Sequence, residues 1–273
     1  MRVPFKILLL LAFTVFTGFQ FSEQQPITLK NETSVEEVLE PKVDGNDAKT
    51  TPLTAADKFE LYTIALHDQL SDTTLNMKAL ELGLKGFYTL RQKGKLQDST
   101  IITIIDFAQS GNNQRMYIID LKQQKIIHKS LVAHGVNSGS EYPRKFSDIE
   151  NSLQSSIGFY VTGEGFSCRK YGSSMRLNGC ESNYNRHARS RGIIVHAAEY
   201  ATQEFVDKYG LLGRSHGCPA LPFKDFDKTV NTIKDGSCFF IYYPDRRYLK
   251  YSRYLHNSGF LDVFLRDLAQ GII

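Results

Sequence analysis

The chain has little excess charge of either sign, no closely spaced cysteine pair, no internal repeat and no long apolar run. The formal net charge is +4 over 273 residues, and two of the positives, Arg2 and Lys6, stand near the N-terminus. That is too mild for the basic footprint of a nucleic-acid binder, although it would not repel an anionic cell wall. None of the four cysteines forms a C-x-x-C pair, the spacing that zinc sites commonly use. The longest apolar stretch, residues 7–16, falls short of the roughly 20 residues of a membrane-spanning helix.

What is present begins with a leader. Arg2 and Lys6 followed by residues 7–16 read as the charged and apolar regions of a secretory signal. No A-x-A-like cleavage site follows, so residues 1–21 stand as a signal peptide or an N-terminal anchor. No leader cysteine is available for a lipid anchor. Residues 22–52 are polar with scattered proline and glycine, the composition of a flexible linker. The remainder is ordinary globular sequence, long enough to bury a full core.

From Thr54 the pattern is helical. Thr54 and Asp57 have the spacing of an N-terminal capping pair, and Phe59, Tyr62, Leu66 and Leu70 recur at helical spacing. A second helix is expected over 75–82, ended by Gly83, and a short third over 86–92. After residue 100 the chain turns to short β-branched and aromatic runs between polar turns. Strands are expected over 101–107, 115–121, 125–133, 158–162, 173–177, 192–196 and 237–243. Two helices interrupt them, one capped by Thr202 and stopped by Gly210, the other carrying Phe226, Val230 and Ile233. Many short strands with few helices predict a mainly β (α+β) domain, a β-sandwich or open barrel. The expected division is a helical part over 53–95, a catalytic domain over 96–245 and a C-terminal extension over 246–273.

One segment carries chemistry: Gly213-Arg214-Ser215-His216-Gly217-Cys218-Pro219-Ala220-Leu221-Pro222. It sets a cysteine on a glycine-containing turn, downstream of the apolar run Gly192-Ile193-Ile194-Val195-His196. A cysteine with a histidine base and oriented backbone N–H groups has the parts for acyl transfer. Ser215-His216-Gly217-Cys218 after a strand ending in His196 resembles the L,D-transpeptidase catalytic domain. The flanks 156–163 and 185–196 are similar to one branch of that family. The resemblance runs from about Thr54 to about Tyr243.

The resemblance implies a matching fold, a murein stem peptide as substrate, no cofactor and no metal, and an extracytoplasmic site of action such as the periplasm or cell envelope. Cys218 would be the nucleophile and His196 the base. A carbonyl near Ser215, or the Ser215 hydroxyl, would orient the imidazole. The N–H groups of Gly217 and Cys218 would form an oxyanion hole, with His216 lining it or supporting the turn. Cys218 would release D-alanine from the stem peptide and pass the acyl group to an amine. Water as acceptor would make the same site an L,D-carboxypeptidase, and an inert site would leave a peptidoglycan-binding protein. The family's arginine two residues after the cysteine is replaced by Ala220. Arg214, Arg191 and Arg189 are the nearest substitutes to hold a substrate carboxylate, and His134 with Asn137 are expected to border the cleft. Glu181 and Asn185 match the branch and read as loop buttresses. With Cys218 kept free, Cys168 and Cys180 are the candidate disulfide, and Cys238 reads as a buried hydrophobe.

Overall fold

A computed structural model describes residues 52–97 and 100–273. The leader expected over 1–21, and all but the last residue of the linker expected over 22–52, lie outside the described residues. Among the described residues no helix is long and apolar enough to cross a membrane.

Eight strands form one mixed sheet: β1 (Ile101–Asp106), β2 (Met116–Asp120), β3 (Lys125–Ser130), β4 (Gly158–Cys168), β5 (Gly172–Gly179), β6 (Ile194–Ala197), β7 (Ala220–Leu221) and β8 (Cys238–Tyr242). Their spatial order is β3-β2-β1-β8-β4-β5-β6-β7. β1 and β8 are buried along their whole length, and they pair in parallel at the centre of the sheet. Largely apolar strands belong there, because both faces are covered. β3 alternates exposed and partly buried residues, as an edge strand does. The two edges then meet. Just past β3, the Ala133 N–H donates to the Ala220 carbonyl at 2.8 Å, and Gly135 bridges Ser215. The result is a nearly closed, mainly β barrel with few helices, in agreement with the expected fold class.

The expected strand 158–162 is longer than its apolar pattern suggested. β4 continues through an irregularity between Thr162 and Gly165 to Cys168. There it turns into β5, with Cys168 opposite Gly172. The bulge absorbs a break that the sequence alone presents as a strand end. This geometry overturns the expected Cys168–Cys180 pair. Cys168 lies at the hairpin turn, whereas Cys180 follows Gly179, which pairs with Tyr160 at the other end. Seven residues of strand at ~3.3 Å each separate ends that a disulfide needs within about 7 Å. All four cysteines are free thiols.

Helices cover the sheet. α1 (Ala55–Leu70) begins at the expected Thr54–Asp57 capping box. α2 (Met77–Gln92) is one helix where two were expected. Gly83 and Gly86 do not break it, because they are its contact points with the sheet. A Cβ on Gly83 would lie 3.0 Å from Ile104, and one on Gly86 would fall inside the Phe159 ring. After β6 come a 3-10 turn (Glu199–Ala201), α3 (Gln203–Tyr209) and, beyond β7, α4 (Phe226–Ile233). The C-terminal extension supplies α5 (Arg246–Tyr251) and α6 (Phe260–Ala269). α6 joins the N-terminal helices in one layer: Phe264 packs edge-on to Phe59 at 5.3 Å and Tyr88 at 5.5 Å. The sequence division into an N-terminal part and a separate extension therefore merges in space.

α5 is tied to the barrel through a buried carboxyl. Glu181 accepts hydrogen bonds from the Tyr248 hydroxyl (2.9 Å) and the Ser252 hydroxyl (3.0 Å). Asn185 beside it donates to the Ile157 and Phe159 carbonyls, both at 3.0 Å. Burial pushes the Glu181 carboxyl up to about 7, against the pull of its hydroxyl donors. The folded protein therefore holds a proton that the unfolded chain has released, and stability falls as pH rises from the ordinary glutamate value of 4.5 through about 7. Glu181→Gln should flatten that fall. Thermal melts across this range check it, and an unchanged pH slope in the variant would reject Glu181 as its source.

Candidate active site

The parallel pairing of β6 with β7 builds the site. His196 stands opposite Ala220, and Ala197 opposite Leu221. The His196 N–H also reaches the Pro219 carbonyl at 3.4 Å. Cys218, two residues before Ala220, is thereby brought to the end of the strand that carries His196. On its other side β6 pairs with β5, placing Ser174 opposite His196. The histidine is held between two strands and is 1% exposed.

The His196 ring is oriented by its own strand. Nδ1 lies 3.0 Å from the Ala197 carbonyl. A carbonyl can only accept, so Nδ1 carries the hydrogen and Nε2 is left as the basic nitrogen. This corrects the expectation that a group near Ser215 does the orienting. Tyr171, from the β4–β5 turn, stacks on the imidazole at 4.1 Å and 23°. Burial pushes the His196 pKa down, and the Lys170 charge adds to that; the Ala197 hydrogen bond opposes it.

The Ser215 side chain instead ties the cysteine turn to itself. Its hydroxyl donates to the Cys218 carbonyl at 2.6 Å and accepts from the Gly217 N–H at 3.0 Å. The Gly217 N–H is thus spent inside the turn and is not an oxyanion donor. Of the two expected donors, only the Cys218 N–H has no acceptor among the described residues. Gly217 sits at φ +119°, and a Cβ there would lie 2.8 Å from the Gln154 carbonyl. Only glycine suits both the angle and the close approach. The His216 side chain is exposed.

Cys218 is half-buried, with Sγ 3.9 Å from the Gly192 carbonyl. Burial pushes its thiol pKa up. The Ile194 N–H and the Arg191 and Lys170 charges pull the other way. Cysteine and histidine both favour their uncharged forms.

Several expected substrate contacts are committed elsewhere. The Arg191 side chain is 4% exposed, and its guanidinium is spent on residues 147–156, so it is no free clamp. Arg189 pairs with Glu164 at 2.8 Å. The His134 ring is buried, with Nδ1 accepting from Arg115 at 2.8 Å and Nε2 facing the Gly139 carbonyl at 3.4 Å. Burial and the Arg115 charge push it down to about 3. The contribution of His134 to the site is its backbone carbonyl, which accepts from the Ser215 N–H at 2.9 Å. Asn137 is exposed and lines a cleft of about 520 Å³ with Arg144, Lys145 and Leu211. Arg214 is exposed, its guanidinium 3.5 Å from the Gly139 carbonyl on the rim of that cleft. Tyr171, Lys170 and Arg115 were missed by sequence reasoning. A turn near Gly172 is visible in the sequence, but nothing there tells which histidine it covers.

Gly217→Ala should strain the turn and push it off Gln154. We expect kcat/KM to fall about a hundredfold, the scale of a misplacement near 1 Å. Steady-state kinetics on a murein peptide, with a thermal melt to show folding, checks this. Near-normal turnover in a folded variant would remove the turn from the site.

Comparison with curated proteins gives no match. Among solved structures, an L,D-transpeptidase from Mycobacterium smegmatis is similar at 12% identity and TM-score 0.35, covering 53% of this chain and 59% of that one. One from Mycobacterium tuberculosis H37Rv has 16% identity and TM-score 0.34, covering 53% and 58%. One from Stackebrandtia nassauensis has 11% identity and TM-score 0.32, covering 70% and 80%. The chain thus spans just under three-fifths of the first two. The family model for the L,D-transpeptidase catalytic domain matches residues 71–242, well over half of the chain, and takes in β1 through β8 together with Cys218 and His196; the chain belongs to the L,D-transpeptidase catalytic domain family.

Proposed function

We propose that the protein is an exported murein L,D-transpeptidase that uses Cys218 as nucleophile and His196 as general base, without a cofactor. The observation that carries this reading is the β6–β7 register. Pairing of His196 with Ala220 sets Cys218 two residues before the partner of a buried histidine whose Nδ1 is occupied by the Ala197 carbonyl, which supports the reading. Because burial favours the neutral thiol and neutral imidazole, proton transfer accompanies attack and no thiolate–imidazolium pair stands ready beforehand. Sγ bonds to the carbonyl carbon joining the third stem residue, meso-diaminopimelate, to terminal D-alanine, and Nε2 takes the thiol proton. The Cys218 N–H supports the oxyanion. Collapse breaks the C–N bond, and His196 returns the proton to the departing amine of D-alanine, leaving a thioester. An amine from a second stem peptide attacks that thioester, forming the cross-link amide and restoring the thiol. Arg214, exposed beside the turn with only a long 3.5 Å contact to the Gly139 carbonyl, is placed to hold a substrate carboxylate.

The test is intact-mass and muropeptide analysis of the enzyme with a disaccharide tetrapeptide. The expected result is loss of D-alanine and a cross-linked dimer, with both Cys218→Ala and His196→Ala slowed by at least about a thousandfold. Tripeptide without dimer would reassign the activity to an L,D-carboxypeptidase. Neither product nor adduct, with the thiol reduced, would leave a peptidoglycan-binding protein. The pH profile gives a second check. The imidazole must be unprotonated to act, and its pKa is lowered, so the acid limb of kcat/KM should lie below the ordinary histidine value of 6.5. An acid limb above that value would contradict the buried base.

A further inference from the structure

We infer that Arg191 is a positioning residue, clamping residues 147–156 against the Gly217–Cys218 turn and so setting the aim of the nucleophile. The inference rests on the reading of Cys218 as nucleophile. It assigns Arg191 a role different from substrate recognition.

Both terminal nitrogens of the guanidinium are spent on one loop. Nη1 donates to the Ser147 carbonyl (2.7 Å) and the Ser156 hydroxyl (3.3 Å). Nη2 donates to the Ser152 hydroxyl (3.2 Å) and the Gln154 carbonyl (2.7 Å). Asp148 of the same loop lies 3.7 Å away, and it also binds His187 at 2.9 Å. A planar fork reaches several acceptors at fixed angles; a lysine ammonium at the same place is a single point.

The loop needs such a tie, and the turn needs the loop. Asn151 and Leu153 hold φ of 59° and 55°, left-handed backbone that costs a leucine stability and persists only when surroundings impose it. The Gln154 carbonyl that receives Arg191 is the atom against which Gly217 packs, 2.8 Å from where a Cβ would stand. The next residue, Ser155, donates its hydroxyl to the Gly217 carbonyl at 3.1 Å and accepts from the Gly135 N–H at 3.0 Å. At the other end, Arg191 precedes Gly192, whose carbonyl faces the Cys218 sulfur at 3.9 Å. One residue thus spans the thiol: its backbone leads to one side, and its head group grips the support of the turn on the other.

The charge acts as well. The groups acting on the Cys218 thiol include Arg191, Lys170 from the β4–β5 turn, Cys168 at the end of β4, Tyr200 and the Ile194 N–H. Neutral His196 stands beside them, and Asp148 partly offsets Arg191. Arg191 is the buried cation in this set.

Three variants separate clamp from charge: Arg191→Met, Arg191→Lys and Ser152→Ala/Ser156→Ala. The readouts are kcat and KM on the disaccharide tetrapeptide, the pH midpoint of Cys218 alkylation by iodoacetamide, and the melting temperature. Arg191→Met should lower kcat about a hundredfold with little change in KM, and raise the alkylation midpoint by about one pH unit. Arg191→Lys should keep the midpoint and still lose about tenfold in kcat, and the serine pair should lose kcat without moving the midpoint. A loss confined to KM would make Arg191 a substrate clamp and overturn the proposal. So would a serine pair and Arg191→Lys that both keep full kcat, even if Arg191→Met does not fold. Retained activity in Cys218→Ala would instead strike at the nucleophile assignment and leave the geometry of the clamp standing.

Discussion

A two-residue strand governs the site. β7 is only Ala220–Leu221, yet its parallel pairing with β6 decides where Cys218 stands relative to His196. It also closes the barrel, because Ala220 bridges Ala133 past the far edge of the sheet. Barrel closure and site assembly therefore depend on the same backbone hydrogen bonds. A slip of one residue in this register would turn the β7 side chains to the opposite face and shift Cys218 relative to His196, since side chains alternate along a strand. The pairing is held from both sides, by β5 against β6 and by the 133–136 segment against Ala220 and Ser215.

Around that register the polar groups are nearly all spoken for. Ser215 serves its own turn, Ala197 orients the imidazole, Arg115 holds His134, and Arg191 holds residues 147–156. What remains among the described residues is small: His196 Nε2 and the Cys218 N–H without a partner, and the Cys218 thiol with only backbone contacts, the Gly192 carbonyl at 3.9 Å and the Ile194 N–H. Those are the groups an acyl transfer requires. Saturating the neighbours fixes the geometry of the few that are left, and burial favours the neutral form of both Cys218 and His196.

The helical layer shows how local rules yield to packing. Glycine normally weakens a helix interior, yet α2 runs through Gly83 and Gly86 because those positions let it lie close on Ile104 and Phe159. Its aromatic neighbours come from both ends of the chain, Phe59 from α1 and Phe264 from α6. A segment that read as an extension is part of the core, since Phe260, Val263 and Phe264 of α6 are buried in it.

The sequence by itself determined the strand-rich architecture and the capped first helix, and it singled out Cys218 and His196 as the pair on which the proposed chemistry rests. Those signals are local: short β-branched and aromatic runs between polar turns, a capping box, and a turn motif whose residue types carry their own chemistry. Only the tertiary structure decided which hydrogen bonds each polar group makes. Ser215 and Arg191 were legible as members of the site, but their partners Cys218 O and Gln154 O are backbone carbonyls, which no residue type announces. Tyr171 over His196 and Arg115 on His134 join residues far apart in sequence, and Cys168 and Cys180 look adjacent only until the hairpin sets them at opposite ends. Contacts between distant segments are fixed by register and packing, and a single chain carries no local mark of either.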